Sequence, residues 1–215
     1  MIPIVSIVGV SNSGKTTLIE KLVPELVRRG YRVATIKHDV HGFEVDREGK
    51  DSWRHKKAGA HTVIISSPSK LALIRDVDHD AELPELRDKY VRDVDLVISE
   101  GFKRNSQPKI EVSRKEMNRD LLCTAQDNLL ALATDQPRDL GVPCFGLDDA
   151  AGMVDLIEEK IIKGGSGPKV RLAVNGRPIP LSAFVRKSIA STVRGMVSPL
   201  KGCESPEKVA IEVED

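Results

Sequence analysis

The sequence predicts an α/β fold: a three-layer sandwich with a mostly parallel sheet between helices, one antiparallel hairpin, and a small C-terminal ββαβ extension. Three observations predict it. Short apolar runs alternate with segments of helical periodicity, the pattern of a sheet covered on both faces. The first run enters a Gly/Ser/Asn-rich turn that opens directly into a helix and then a second strand, a βαβ unit whose crossover is right-handed in nearly all known cases. A Gly-rich break, Gly164-Gly165-Ser166-Gly167-Pro168, separates the last helical pattern from a short tail. The expected division is a main domain over 1–163, a linker over 164–168 and an extension over 169–215.

Taken in order, Ile4 to Val8 is a buried strand, and Leu18, Leu22 and Leu26 mark one face of a helix stopped by Gly30. Tyr31 to Ile36 is the second strand. Lys37 to Lys50, rich in His, Asp and Gly, reads as an exposed functional loop, and Ser52 to Ala60 as a short helix ending at Gly59. Thr62–Ser66 and Lys70–Ile74 flank Ser67-Pro68-Ser69 and predict a hairpin. Ala81 to Val91 follows as a helix. Asp95 to Glu100 is an apolar strand ending in a carboxylate, and further strands are expected at 109–113, 129–133 and 142–147. Met153, Val154, Ile157 and Ile161 make a closing helix. In the extension, Val170–Val174 and Ile179–Leu181 flank the hairpin signal Asn175-Gly176, Ser182 is placed to cap a helix, and Val209–Val213 reads as a last strand. A piece this short is near the lower limit for a core of its own.

Composition narrows the function. The 33 basic and 32 acidic residues nearly cancel, which argues against a broad surface for nucleic acid or an anionic membrane. Aromatic residues make up only 3% of the chain, too few for a base-stacking platform. No apolar run approaches the ~20 residues that span a bilayer, and the N-terminus lacks the basic start and cleavage site of a signal peptide. The expected setting is cytoplasmic. Cys123, Cys144 and Cys203 have no metal-ligand spacing and read as apolar fillers.

Gly9-Val10-Ser11-Asn12-Ser13-Gly14-Lys15-Thr16 matches G-x-x-x-x-G-K-[ST] between a strand and a helix, the context the P-loop requires. Gly9 and Gly14 permit backbone angles that a Cβ obstructs. The amides of this loop, including those of Ser11, Asn12 and Ser13, converge on phosphate oxygens at the positive end of the following helix. Lys15 is placed to reach the β- and γ-phosphates of a nucleoside triphosphate, and the Thr16 hydroxyl to ligate Mg²⁺. Glu100 is the expected second carboxylate, holding Mg²⁺ through a water or orienting an attacking water; the plainer reading is a solvated residue at a strand end. Asp95 lies at the other end of that strand, too far to serve the same metal. Phe102-Lys103-Arg104 would bring cations near bound phosphate.

Other motifs are weaker. The loop after the second strand carries Lys37, His38, Asp39, His41, Asp46, Lys50 and Asp51, in a region that senses the γ-phosphate or holds a substrate in many P-loop proteins. His38-x-x-His41 has no nearby Cys and no clear third ligand, so an ordinary polar loop stands ahead of zinc. Asp46-Arg47-Glu48-Gly49 matches D-x-x-G in two fixed positions only. The guanine motif N-K-x-D is absent. Asp135, after Ala133-Thr134, is either the acceptor for guanine N1–H and N2–H₂ or a turn residue.

The chain resembles the molybdopterin-guanine dinucleotide biosynthesis adaptor protein B family. The resemblance rests on Gly9 to Thr17, Lys37-His38-Asp39, Asp46-x-x-Gly49-Lys50-Asp51-Ser52, Ala58-Gly59-Ala60, Glu100-Gly101-Phe102-Lys103 and Ala133-Thr134-Asp135, and covers roughly residues 1–163. It implies a GTP-binding, usually homodimeric adaptor with weak GTP hydrolysis, assisting the guanylyltransferase that joins GMP to molybdenum-bound pterin alongside other cofactor-maturation proteins. By matching position, Gly14, Lys15, Thr16 and Thr17 bind phosphates and Mg²⁺, Glu100 is the acidic partner, and Thr134 and Asp135 lie near the base. Two other classes compete. One is a small-molecule kinase holding ATP, with Asp39 or Asp51 as base and the stretch from Lys103 to Arg119 as an arginine-bearing lid. The other is a nucleotide-switched binding module with negligible turnover.

Overall fold

The structure, a computed structural model, describes residues 1–39, 42–118, 120–163, 170, 172–174, 177–179, 183–204, 206 and 208–211. The chain divides into two compact units, Met1–Asp155 and Leu156–Asp215. In the first, β1 (Ile4–Val8) leads through the Gly9–Gly14 turn into α1 (Lys15–Arg28), followed by β2 (Val33–Lys37), α2 (Asp51–Lys57), the strands β3 (Thr62–Ser66) and β4 (Leu71–Arg75), and α3 (Leu83–Tyr90). The remaining strands are β5 (Leu96–Glu100), β6 (Lys109–Ser113), β7 (Leu129–Thr134) and β8 (Cys144–Phe145); α4 (Ala150–Ile157) begins in this unit and ends in the next.

The main sheet runs β2-β5-β1-β6-β7-β8, with every pairing parallel. A central parallel strand is enclosed on both faces, so its sequence reads as a continuous apolar run. β1 obeys this, being buried at every position. Its single polar residue, Ser6, is satisfied internally by the Ser99 hydroxyl (2.8 Å) and by Asn105 Nδ2 (3.0 Å). α1 packs on β1, β2 and β5 and buries Leu18, Leu22 and Leu26. It closes with the Gly30 N–H on the Val27 carbonyl and the Tyr31 N–H on that of Leu26, the paired bonds of a Schellman end. Leu83 of α3 packs with Ile4 and Val97, and Ile36 and Phe102 join that cluster. Cys123 is buried with Val8 and Leu129, so it fills core space.

β6 carries two charged side chains into the interior. Lys109, 1% exposed, donates to the carbonyls of Asn105, Gln107 and Asp127. Glu111, 2% exposed, accepts from the Leu122 and Cys123 amides. Each ties loops at the sheet's rim to its central strands.

Several boundaries differ from those expected. The helix expected over 52–60 spans Asp51–Lys57, and the closing helix changes after Ile157 to a π-helical turn over Glu158–Lys163. The strand expected over 142–147 is reduced to Cys144–Phe145, flanked by Pro143 and Gly146. β3 and β4 pair antiparallel as a separate two-stranded sheet. In the second unit β9 (Leu172–Val174) and β10 (Arg177–Ile179) pair antiparallel, and α5 (Ala183–Val197) follows. The linker, the Asn175-Gly176 turn and the Ser182 cap lie outside the described residues, as do Glu212 and Val213. Val209–Ile211 carry no strand, which corrects the expected last element for those positions. No helix among the described residues is long and apolar enough to cross a membrane.

Candidate functional site

Order in the sheet dictates where a ligand can sit. β1 lies between β5 on one side and β6 on the other, so the chain leaving its carboxyl end opens a crevice there. Three residues of that turn take left-handed backbone: Gly9 (φ 149°), Asn12 (φ 62°) and Gly14 (φ 98°). A Cβ on Gly9 would come within 2.5 Å of the Val112 carbonyl and 2.6 Å of Ser13 Oγ. Only glycine fits. Gly14 is the N-cap of α1 and offers no side-chain cap, which leaves the first-turn amides of the helix for an outside acceptor.

Lys15 folds back over the loop. Its Nζ donates to the carbonyls of Gly9 (3.2 Å) and Val10 (2.8 Å). Burial lowers its pKa from the ordinary lysine value; the Glu100 carboxylate opposes that shift and Lys37 adds to it. Ser13 Oγ is buried without a hydrogen-bond partner among the described residues, a polar atom enclosed within the phosphate loop. Ser11, Asn12, Thr16 and Thr17 are exposed along the same loop and first turn.

Thr16 and Glu100 come together from elements 84 residues apart. The Thr16 hydroxyl lies 3.0 Å from Glu100 Oε1 and 3.1 Å from Oε2, and Lys37 Nζ lies 4.0 Å from Oε1. Parallel register explains the meeting: Glu100 is level with Ile7 of β1 and with Lys37 of β2, so its carboxylate emerges beside the turn. A hydroxyl and a carboxylate in contact form a hard-oxygen pair, the donor chemistry Mg²⁺ takes.

On the other side of β1, Ser113 of β6 is level with Thr134 of β7. Thr134 is buried, and its hydroxyl accepts the Gln136 N–H at 3.0 Å. Asp135 Oδ1 accepts the Lys115 N–H at 2.8 Å, which joins the two strand ends. Arg114, between them, belongs to the Lys103–Arg119 stretch and carries no motif of its own. Here its Nε donates to the Ser13 carbonyl at 3.2 Å, and a Cβ on Gly14 would meet its Nη2 at 3.0 Å. It braces the phosphate loop from the β6 side, a role no local motif signals.

The remaining candidates fall elsewhere. His38 Nε2 lies 2.9 Å from the Asp80 carboxylate, and its ring is 4.7 Å from that of Phe102. His41 lies outside the described residues, and among those described no three His, Cys, Asp or Glu side chains gather as metal ligands. Asp46 Oδ1 accepts the neighbouring Arg47 N–H, and Lys50 N–H closes on the Arg47 carbonyl, so that stretch forms a turn. Asp95 accepts the Arg32 N–H at the sheet's opposite rim.

With this geometry in place, comparison with known proteins gives one answer. Residues 4–135 match the family model described as molybdopterin guanine dinucleotide synthesis protein B. The chain is 40% identical over 158 residues to the molybdopterin-guanine dinucleotide biosynthesis adapter protein of Haemophilus influenzae, covering 73% of this chain and 88% of that protein. A putative adapter protein of the same description from Methanocaldococcus jannaschii is 28% identical and spans 98% of this chain and 97% of its own. Among solved structures, Bacillus subtilis MobB superposes with a TM-score of 0.60 at 32% identity, over 74% of this chain and 98% of that one.

Proposed function

Because the chain belongs to the molybdopterin guanine dinucleotide synthesis protein B family, we propose that it is an adapter of molybdopterin guanine dinucleotide assembly that binds GTP with Mg²⁺. It hydrolyses the nucleotide slowly, acts as a homodimer in the cytoplasm, and works beside the guanylyltransferase and other cofactor-maturation proteins. Neither nucleic acid nor a membrane is part of this reading.

One observation carries it: the glycine-built loop with Lys15 folded over it meets the Thr16–Glu100 pair at the end of β1. The amides of Gly14, Lys15, Thr16 and Thr17 at the start of α1 donate to the β-phosphate oxygens, with Ser11, Asn12 and Ser13 completing the cup. Lys15 exchanges its two carbonyl acceptors for phosphate oxygens. Mg²⁺ would be held by Thr16 directly and by Glu100 directly or through water, and would supply charge neutralisation between the β- and γ-phosphates. Glu100 also orients an attacking water in this reading. On the β6–β7 side, Asp135 keeps one oxygen on the Lys115 amide and offers the other to the guanine N1–H and N2–H₂ edge, with Thr134 beneath.

The kinase reading needs a mobile arginine lid between Lys103 and Arg119. β6, Lys109–Ser113, runs through that stretch at the centre of the sheet, and Arg114 is tied to the phosphate loop. Calorimetry with GTP, ATP and XTP separates the readings. The adapter binds GTP in preference to ATP, and Asp135→Asn erodes that preference by about tenfold, the loss of one charge-assisted bond. Equal affinity for ATP and GTP, with phosphate transferred to a metabolite, overturns the proposal.

A further inference from the structure

A cavity of about 610 Å³ adjoins the phosphate loop at Gly9 and extends along the turn that follows β5. The nucleotide reading uses only its edge. Its volume lies within the ~300–1,000 Å³ of sites for cofactor-sized ligands. Its walls carry three kinds of chemistry.

Aromatic surface comes from Phe102 and His38, whose rings lie 4.7 Å apart at an interplanar angle of 32°. Phe102 is held at φ 53°, a left-handed conformation that is an outlier for a bulky residue. Asn105 maintains it: Nδ2 donates to the Phe102 carbonyl (2.6 Å) and to buried Ser6 of β1 (3.0 Å), and the Asn105 N–H donates to the same Phe102 carbonyl (3.0 Å). A glycine would take this angle without strain. Strain that persists because its surroundings enforce it clusters at ligand-binding positions, and here it places an aromatic ring in the cavity wall.

Cationic surface comes from Lys103 and Arg104, exposed and without an ion pair among the described residues. Anionic surface comes from Asp80 and Glu82 in the segment before α3, with Asp80 engaged by His38. Flat rings, two unpaired cations and carboxylates together suit a planar heterocycle whose N–H edge meets a carboxylate and whose phosphate meets the cations.

We infer that this cavity is a second ligand site, taking a phosphate-bearing planar heterocycle of the pterin class next to the nucleotide. The inference rests on the adapter reading for the identity of the heterocycle, since the family's description names a pterin. Sharing Gly9 with the phosphate loop puts both ligands on one stretch of backbone. The adapter then holds both components of the dinucleotide product side by side.

The test uses the full chain with neopterin monophosphate, whose intrinsic fluorescence reports binding by anisotropy. Saturable binding persists with a non-hydrolysable GTP analogue at saturation. Neopterin without phosphate binds at least about tenfold more weakly, because it forgoes the charge-assisted bonds. Phe102→Gly, which accepts the backbone angle and removes the ring, lowers probe affinity about tenfold, the scale of one lost stacking platform. Arg104→Ala, a surface change with no packing role, weakens the phosphorylated probe and leaves neopterin unaffected. Absence of saturable binding, stoichiometric displacement by the GTP analogue, or wild-type probe affinity in both variants overturns the inference. GTP affinity is measured on the same samples. Probe binding with these variant effects but no GTP binding rejects the nucleotide reading and keeps the cavity; GTP binding without probe binding does the reverse.

Discussion

Lys15 shows how much a single side chain settles. Its ammonium rests on two loop carbonyls, and burial depresses its pKa. A bound polyphosphate favours the charged form, so the proton is held more tightly in the complex than in the free protein. Nucleotide affinity should therefore fall as pH rises through the depressed pKa of the free chain. Lys15→Ala should lose about 1.5–3 kcal/mol of binding, the worth of a hydrogen bond to a charged group, and lose this pH dependence, with an unchanged circular dichroism spectrum. Calorimetry across neutral and alkaline pH checks both; a variant that binds as tightly as wild type removes Lys15 from the site. The phosphate loop was legible in the sequence because its chemistry is contiguous: glycines, lysine and threonine sit within one turn and helix start. Arg114 was not legible as its brace. It reaches Ser13 across 101 residues, and only the pairing of β1 with β6 brings the two together. Lys109 and Glu111 are similar, since their partners are backbone atoms of distant loops.

At the scale of the element, α1 ties packing to function. Its apolar stripe, Leu18, Leu22 and Leu26, is buried, while its N-terminus, capped by Gly14 without a side-chain hydrogen bond, would form half of the proposed phosphate cup. Leu22, fully buried, lies two turns from the loop. Leu22→Ala should cost about 2–5 kcal/mol of stability through lost burial and a residual cavity. Urea unfolding should show a lower midpoint with the same slope, while GTP affinity at low denaturant stays within about twofold, because packing changes outside a preformed site move binding little. A fall in affinity that parallels the loss of stability would mean that α1 is not held rigid by the sheet. Long apolar runs such as β1, β5 and β7 announced themselves, since central parallel strands need no alternation. β8 is shorter than its apolar run: Val142 to Leu147 is apolar enough for a longer strand, but only Cys144–Phe145 pair with β7. The hairpin at 62–75 was readable from its turn residues, but its separation from the main sheet was not, because strand propensity carries no information about the partner.

For the whole molecule, that separation makes the assembly testable. β3 and β4 form a two-stranded sheet with both outer edges unpaired among the described residues, and such a ribbon is marginal alone in water. Val63 is buried and Ile74 half-buried, so one end of one face is covered within the chain, while Ile65 and Ala72 further along that face are exposed. Register puts Ile64 opposite Leu73 and Ser66 opposite Leu71 on the other face, where Ile64 is 60%, Leu73 39% and Leu71 71% exposed. An apolar stripe on such a ribbon is the kind of surface on which a second copy of the chain would pack in the proposed homodimer. For the proposed homodimer, joining two such stripes removes the exposed parts of six apolar side chains from water, a gain of the same order as the cost of association. With the two terms so close, one buried charge should decide against the dimer. Leu71→Glu, at the most exposed of the three positions, should convert the dimer to monomer at micromolar concentration by light scattering, with the P-loop untouched and GTP still bound. If the mass stays at two chains, the hairpin is not the joint, and the dimer must be built from another surface.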